Sequence, residues 1–268
     1  MVEFGDLFWA LVVFMFVYPY IIQWWISRRR ELFMRVLARN DKAQIITLVH
    51  TPSKFSLIGL PFMRMIDMSD MEEVLDAIRM TPKNKPIDLV LHVTGGAVLP
   101  TAQIARALNE HPARTRVIVP YYAMSGGTLI ALGADEIVMA ENAVLGPIDP
   151  QIFTFKGILP LSSLEKVAKS KGNKAQDETL MMASLASQAI TQLNDLVVEL
   201  ASKKVGGAKA KRIAEFLTKG DKTHDYPITA KEAGELGLKI STNLRPEVYR
   251  LMETYRIFKQ PGIDVFYS

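Results

Sequence analysis

Apolar residues crowd the start of the chain and then settle into two alternating periods. The opening run, FGDLFWALVVFMFVYPYIIQWWI (residues 4–26), carries no charge between residues 7 and 22. It is long enough to cross the roughly 30 Å hydrocarbon core of a bilayer as a helix. Further on, short apolar runs alternate with segments of helical period. AQIITLV (43–49), IDLVLHV (87–93), RVIVP (116–120) and EIVMA (136–140) read as strands. SDMEEVLDAIRM (69–80) reads as a helix with the stripe Met71, Val74, Leu75 and Ile78, and Ser69 lies three residues before Glu72 as a capping box would require. Residues 97–108, the segment after Ser125, and residues 161–167, 177–204, 208–217 and 229–236 read as further helices. Residues 51–62, with Pro52, Gly59 and Pro61, read as an irregular loop. Strands alternating with helices predict an α/β domain around a mostly parallel sheet with right-handed crossovers.

The flanks of the first run sharpen its meaning. Trp9, Tyr18, Tyr20, Trp24 and Trp25 give it aromatic ends, Arg28, Arg29 and Arg30 follow at once, and Glu3 and Asp6 precede. Positive charge stays on the cytoplasmic side, so the pattern predicts one transmembrane helix with its N-terminus outside and the remaining chain in the cytoplasm. A cleaved signal peptide would carry its charge before the apolar run and end in an A-x-A site, and neither holds here. An amphipathic or core helix is the other reading. The expected divisions are a membrane anchor (1–27), a basic juxtamembrane segment (28–42), one globular domain (43–258) and a short tail (259–268).

Composition narrows the chemistry. The 268 residues are 49% hydrophobic, enough for a sizeable core, and Lys+Arg 32 against Asp+Glu 28 gives a net charge of only +4. That excess is spread along the chain and does not predict a nucleic-acid partner. With no cysteine there is no disulfide, thiolate metal site or cysteine nucleophile. The four histidines, His50, His92, His111 and His224, form no HxxxH or HxH pair, so no metal site is expected. No GxGxxG follows a strand, so no nicotinamide site and no other cofactor is expected.

Two strand–turn–helix units remain as carriers of chemistry, LHV-TGG-AVL around Gly95 and Gly96, and PYYAM-SGG-TLIALG around Ser125 and Gly126. Glycine pairs let a substrate backbone approach, and amides at a helix start point outward with the positive end of the dipole. One amide donor from each turn would suit the oxyanion of acyl transfer. Read singly, each GG pair is also an ordinary turn, and Ser125 an ordinary helix N-cap. The GxSxG elbow of α/β-hydrolases is absent, since Ala123-Met124 precede the serine.

Taken together, "LVLHVTGGAVLPTAQIARAL", "VPYYAMSGGTLIALGADEIVMAENAVLGPIDPQ" and "THDYPITAKEAGELGL" resemble the serine peptidase branch of the Clp-protease/crotonase fold. More closely they resemble the serine dehydrogenase proteinase family, relatives of signal peptide peptidase A, over residues 40–255. The resemblance implies Ser125 as nucleophile, the Gly96 and Gly126 amides as oxyanion donors, and Gly95 and Val98 as substrate-binding positions. In the Clp proteolytic subunit a histidine base lies in the segment matching residues 144–151. Here that segment, VLGPIDPQ, has none. Relatives of signal peptide peptidase A use a downstream lysine, which works as a base only when its pKa is depressed. Lys174, just before the long helix, is the expected partner, with Lys171, Lys166 and His224 as alternatives and Lys169 on the same basic segment. Asp149 is a nearby polar candidate, and Asp177 reads as a helix cap. The His224-Asp225 pair reads most simply as a loop histidine anchoring its own turn. His92 reads as a core or site-wall residue.

Together with the apolar first run, the resemblance implies a membrane-anchored serine peptidase with a Ser125–Lys174 dyad. It also implies a homo-oligomer, with residues 177–204 as an interface. Peptides or membrane proteins are the expected substrates, the membrane is met through residues 4–26, and a stomatin-like protein is a candidate partner. An inactive membrane-tethered scaffold of the same fold and a crotonase-type acyl-CoA enzyme are the alternatives.

Overall fold

The computed structural model describes residues 4–50, 65–154 and 157–256. The loop read at 51–62 lies outside the described residues. In chain order the elements are α1 (Phe4–Asp41), β1 (Gln44–Val49), α2 (Met68–Met80), β2 (Ile87–His92), α3 (Val98–Glu110), β3 (Thr115–Val119) and β4 (Tyr122–Ala123). There follow α4 (Gly126–Gly133), β5 (Glu136–Met139), β6 (Val144–Leu145), β7 (Gln151–Thr154), β8 (Gly157–Pro160) and α5 (Leu161–Lys171). A 3-10 turn (Gly172–Lys174), α6 (Asp177–Val205), α7 (Gly207–Thr218), β9 (Ile228–Thr229), α8 (Ala230–Glu235), β10 (Ile240–Ser241) and α9 (Pro246–Arg256) complete the chain. They form two compact units, α1 with α9, and Ala43–Leu244.

In the first unit, α1 is a continuous helix of 38 residues through Pro19. Most of its described apolar side chains between residues 9 and 25 stand exposed, among them Phe14, Phe16 and Trp24 at 60%, 65% and 61%. Among the described residues it is the helix long and apolar enough to cross a membrane. Past the apolar stretch, α1 packs on α9. Arg30 donates to the Thr254 hydroxyl and carbonyl, both at 3.3 Å, and its guanidinium lies 3.8 Å from the Tyr255 ring centre. Arg245 donates to Asp41 at 3.1 Å. Helix α9 escaped the sequence reading because its short polar stretch carries few apolar residues, of which Val248, Leu251 and Met252 are buried.

The second unit is built on a parallel sheet in the order β1-β2-β3-β5-β10. All six residues of β2 are buried, as expected of a central strand covered on both faces. The four strands read from the sequence pair within about one residue of their expected bounds. The pairing β4-β6-β9 and the β7–β8 hairpin were not legible, because two-residue strands and a hairpin lacking an alternating pattern leave no period to read. Two caps differ from expectation. Helix α2 starts one residue early, and Asp67, not Ser69, caps it: Asp67 accepts from the Asp70 amide at 3.1 Å and Asp70 returns the bond at 3.2 Å. Asp177 is the first residue of α6 rather than its cap, which is Gln176 without a side-chain bond. There its carboxylate meets the positive end of the helix dipole.

Helices α3 and α4 pack so closely that a methyl group on Gly133 would lie 2.3 Å from the Ala105 carbonyl oxygen. The close atoms all belong to the Ala105 backbone, so they cannot yield without moving a helix. Gly133→Ala is expected to cost on the order of 1–3 kcal/mol, read as a lower denaturant midpoint with an unchanged slope.

Candidate active site

The parallel register of β2 and β3 carries two turns to the same end of the sheet. There Val93 and Ala123 form a parallel bridge, with the Met124 amide donating to the Val93 carbonyl at 3.1 Å. The turns then meet at their glycines. A Cβ on Gly126 would lie 3.0 Å from the Gly96 nitrogen, and one on Gly95 would lie 3.8 Å from Ser125 Oγ. Ile66 bridges Gly96 through the Gly95 carbonyl and the Ala97 amide, which turns the Gly96 amide away from Ile66. Among the described residues no group accepts a hydrogen bond from the Gly96 or Gly126 amide.

Ser125 precedes α4 but does not cap it. It has φ 48° and ψ −112° and makes no side-chain bond to the helix. This left-handed conformation is strained for a residue with a Cβ, on the order of 1–3 kcal/mol. The turn is held in it by Gly127 donating to the Met124 carbonyl at 2.7 Å and by Leu129 donating to the Ser125 carbonyl at 3.1 Å.

A cavity of about 740 Å³ opens over this point. Gly95, Gly96, Val98, Ser125 and Gly126 line it, as do Asp149, His224 and Asp225, while Leu129, Ile148 and Leu193 contribute apolar wall. His224 Nδ1 lies 2.7 Å from Asp149 Oδ1. Asp149 is buried at 3% exposure. His224 thus does more than anchor its own turn: its ring bonds a carboxylate from a distant loop, and Asp225 beside it reaches the same cavity. The bond to Asp149 raises the His224 pKa above the usual imidazole value, burial opposes the rise, and the Asp149 and Asp225 charges add to it. With Nδ1–H donated to Asp149, Nε2 is the nitrogen left to take a proton.

Thr128 ties the two halves of this site together. Its hydroxyl lies 2.8 Å from both the Ala123 and Gly146 carbonyl oxygens, and it accepts from the Gly146 amide at 3.0 Å. The loop bearing Asp149 is thereby stitched to the helix that follows Ser125. Nothing in the sequence marked Thr128, since a lone threonine in an apolar helix carries no motif.

The lysines take other places. Lys174 is exposed on the 3-10 turn, Lys171 is exposed at the end of α5, and none of Lys166, Lys169, Lys171 and Lys174 lines the cavity. Lys166 and Lys169 pair on the surface with Asp221 and Glu165, both at 3.9 Å. His92 is buried against Tyr122, with ring centres 4.1 Å apart. Among the described residues no cluster of His, Asp and Glu is arranged to hold a metal.

A parallel sheet whose adjoining turns bring a strained serine against Gly96 agrees with a serine peptidase of the Clp type. The chain belongs to the ClpP-like SDH-type serine proteinases, whose family model matches residues 1–265. Uncharacterised protein MJ0137 of Methanocaldococcus jannaschii is 48% identical over 256 residues, covering 95% of this chain and 87% of its own. A second protein of that organism, MJ1495, is 44% identical over 251 residues, covering 93% and 85%. Among solved structures, the membrane-bound stomatin-specific protease 1510-N has the same fold. One of its structures superposes with a TM-score of 0.50 at 17% identity over 77% of this chain and 82% of its own. Another, holding a substrate peptide, does so with 0.50 at 18% identity over 77% of each chain.

The imidazole titration follows from the Asp149 contact. A raised folded-state pKa means that this contact stabilises the fold below the unfolded histidine value, and that the stabilisation is lost as pH rises through the folded value. In an NMR titration His224 should titrate above pH 6.5, and Asp149→Asn should bring it down.

Proposed function

We propose that this serine peptidase is a membrane-anchored endopeptidase in which Ser125 is the nucleophile and His224, oriented by Asp149, is its base. The observation that supports this most is the single cavity shared by Ser125, the Gly96 and Gly126 turns and the His224–Asp149 pair. Ser125 Oγ attacks the substrate carbonyl carbon while His224 Nε2 takes the hydroxyl proton. The Gly96 and Gly126 amides donate to the developing oxyanion, where removal of a single such donor typically costs about 10²–10³ in rate. The imidazolium, held against the Asp149 carboxylate, passes its proton to the leaving amine, and the peptide bond breaks to leave an ester on Ser125. Water, deprotonated by His224, then hydrolyses that ester and regenerates the serine. Asp149 remains ionised and holds the ring in the tautomer that leaves Nε2 unprotonated.

The base expected from relatives of signal peptide peptidase A is Lys174, and a Ser125–Lys174 dyad is the competing assignment. It requires the lysine to leave its exposed position and reach Ser125. In the favoured reading, α1 crosses the membrane once, Arg28 to Arg30 stay on the cytoplasmic side, and the peptidase domain is cytoplasmic. The substrates are peptides or membrane-associated proteins, which suits a cavity walled by Leu129, Ile148 and Leu193. A stomatin-like protein is the partner class carried over from 1510-N, and the exposed Leu180, Met181 and Leu185 of α6 suit the expected homo-oligomer. An inactive scaffold of the same fold would keep the oligomer and lose the chemistry.

Casein or an apolar fluorogenic peptide tests the assignment. Ser125→Ala should abolish turnover and labelling by a fluorophosphonate, and unchanged turnover would remove the proposal. His224→Ala should lower kcat by about 10³-fold or more while Lys174→Ala leaves it near wild type. The reverse pattern would restore the lysine dyad. With a histidine base, kcat/KM should rise with pH through the raised His224 value.

A further inference from the structure

The end of the sheet away from Ser125 holds a cation that the chemistry above does not use. Lys204, in the last turn of α6, is half-buried and enters a cavity of about 140 Å³ lined by Leu132, Asp135, Ile137, Ala201 and Leu238, among others. Its Nζ donates to the Leu132 carbonyl at 2.8 Å. Leu132 lies in the final turn of α4, where main-chain carbonyls have no acceptor role left inside the helix. The Ala131 carbonyl of the same turn accepts from the Ala134 amide at 3.2 Å. Helix α4 is therefore held at both ends, by the Ser125 turn at its start and by Lys204 at its finish, about 12 Å apart along its axis.

We propose that Lys204 is a positioning residue of the peptidase: its bond to Leu132 sets the axial position of α4, and through it the Gly126 amide, while its charge supports the carbonyl end of that helix. This rests on reading Ser125 and Gly126 as the reacting site. Gly133 against the Ala105 backbone holds α4 sideways on α3, and the Lys204 bond adds a restraint at the end of the helix far from the Gly126 amide. A cation at a helix C-terminus meets the negative end of the dipole.

The charge is held at a cost. Burial lowers the Lys204 pKa from 10.5 to about 8, with Asp135 opposing the shift and Lys203 adding to it. The other charged groups at the cavity are Glu136 and Lys239, themselves paired at 3.8 Å. Lys209 of α7 lies alongside at Gly237. Because the folded state gives up this proton at about pH 8 and the unfolded chain only near 10.5, the unfolded state binds more protons between those values. Stability therefore rises with pH across that window, and below it the cation opposes folding. A residue kept for packing alone would leave kcat unchanged when replaced by an apolar isostere.

The full-length protein in detergent or nanodiscs, assayed on an apolar fluorogenic peptide, tests this with Lys204→Met and Lys204→Arg. Lys204→Met should lower kcat about tenfold, equivalent to about 1.4 kcal/mol, at unchanged KM, with a Tm at neutral pH equal to or above wild type. The wild type should lose activity above pH 8, and Lys204→Arg, charged throughout, should restore kcat and remove that alkaline limb. Unchanged kcat in Lys204→Met, or a kcat loss matched by a fall in Tm and a rise in KM, would overturn the proposal. Were Lys204→Met not to fold, the arginine variant decides: an alkaline limb that persists in it also overturns the proposal. Turnover surviving in Ser125→Ala would instead remove the site reading itself, independently of either lysine variant.

Discussion

The close approach of two turns, Thr94-Gly95-Gly96 and Met124-Ser125-Gly126, is the constraint on which the rest depends. The strand bridge between Val93 and Ala123 brings them together, and the absence of side chains at Gly96 and Gly126 lets their backbones touch. Any larger residue at Gly126 would meet both the Gly96 backbone and the Thr101 methyl at 2.7 Å. Both glycines line one cavity, where the proposed oxyanion site lies. The local strain at Ser125 belongs to the same arrangement. A serine left free to relax would rejoin α4 as an ordinary cap, and the surrounding hydrogen bonds prevent it.

Around that contact the domain is organised to resist displacement. Thr128 binds the helix to the loop that carries Asp149, and the Ile148 amide donates to the Leu217 carbonyl of α7 at 2.8 Å. The acid of the proposed triad is thus tied both to the nucleophile's helix and to the outer helical layer. His224 comes from a third place, a turn before β9, and needs only the Asp149 carboxylate to fix its ring. The apolar face of α4, packed against α3 with backbone nearly in contact, transmits these restraints without slack.

The proposed base illustrates how family resemblance and geometry carry different information. Resemblance to relatives pointed to a lysine after the serine, and the basic segment 166–174 supplied several. In the fold that segment forms α5 and a 3-10 turn whose lysines face solvent, where ion pairs are worth little and an ammonium is fully hydrated. The imidazole lies instead far along the chain, in a turn whose neighbours suggested only local bonding. The bond to buried Asp149, rather than any spacing in the sequence, ties the His224 ring to the cavity that Ser125 lines.

Hydrophobic period and turn chemistry by themselves determined the alternation of strands and helices, the long apolar first helix and the two glycine turns, because each is written in contiguous residues. The resemblance carried by both turns, read as a pair, made Ser125 the expected nucleophile. The tertiary structure alone decided what shares a cavity with that serine. Asp149 and His224 are 75 positions apart, Thr128 acts across 18 and Lys204 across 72. None of these contacts has a period or a motif, since each depends on where the sheet order β1-β2-β3-β5-β10 delivers its loops. Short strands such as β4, β6 and β9 form for the same reason: partners supplied by the fold, and not their own sequence, satisfy their backbone groups.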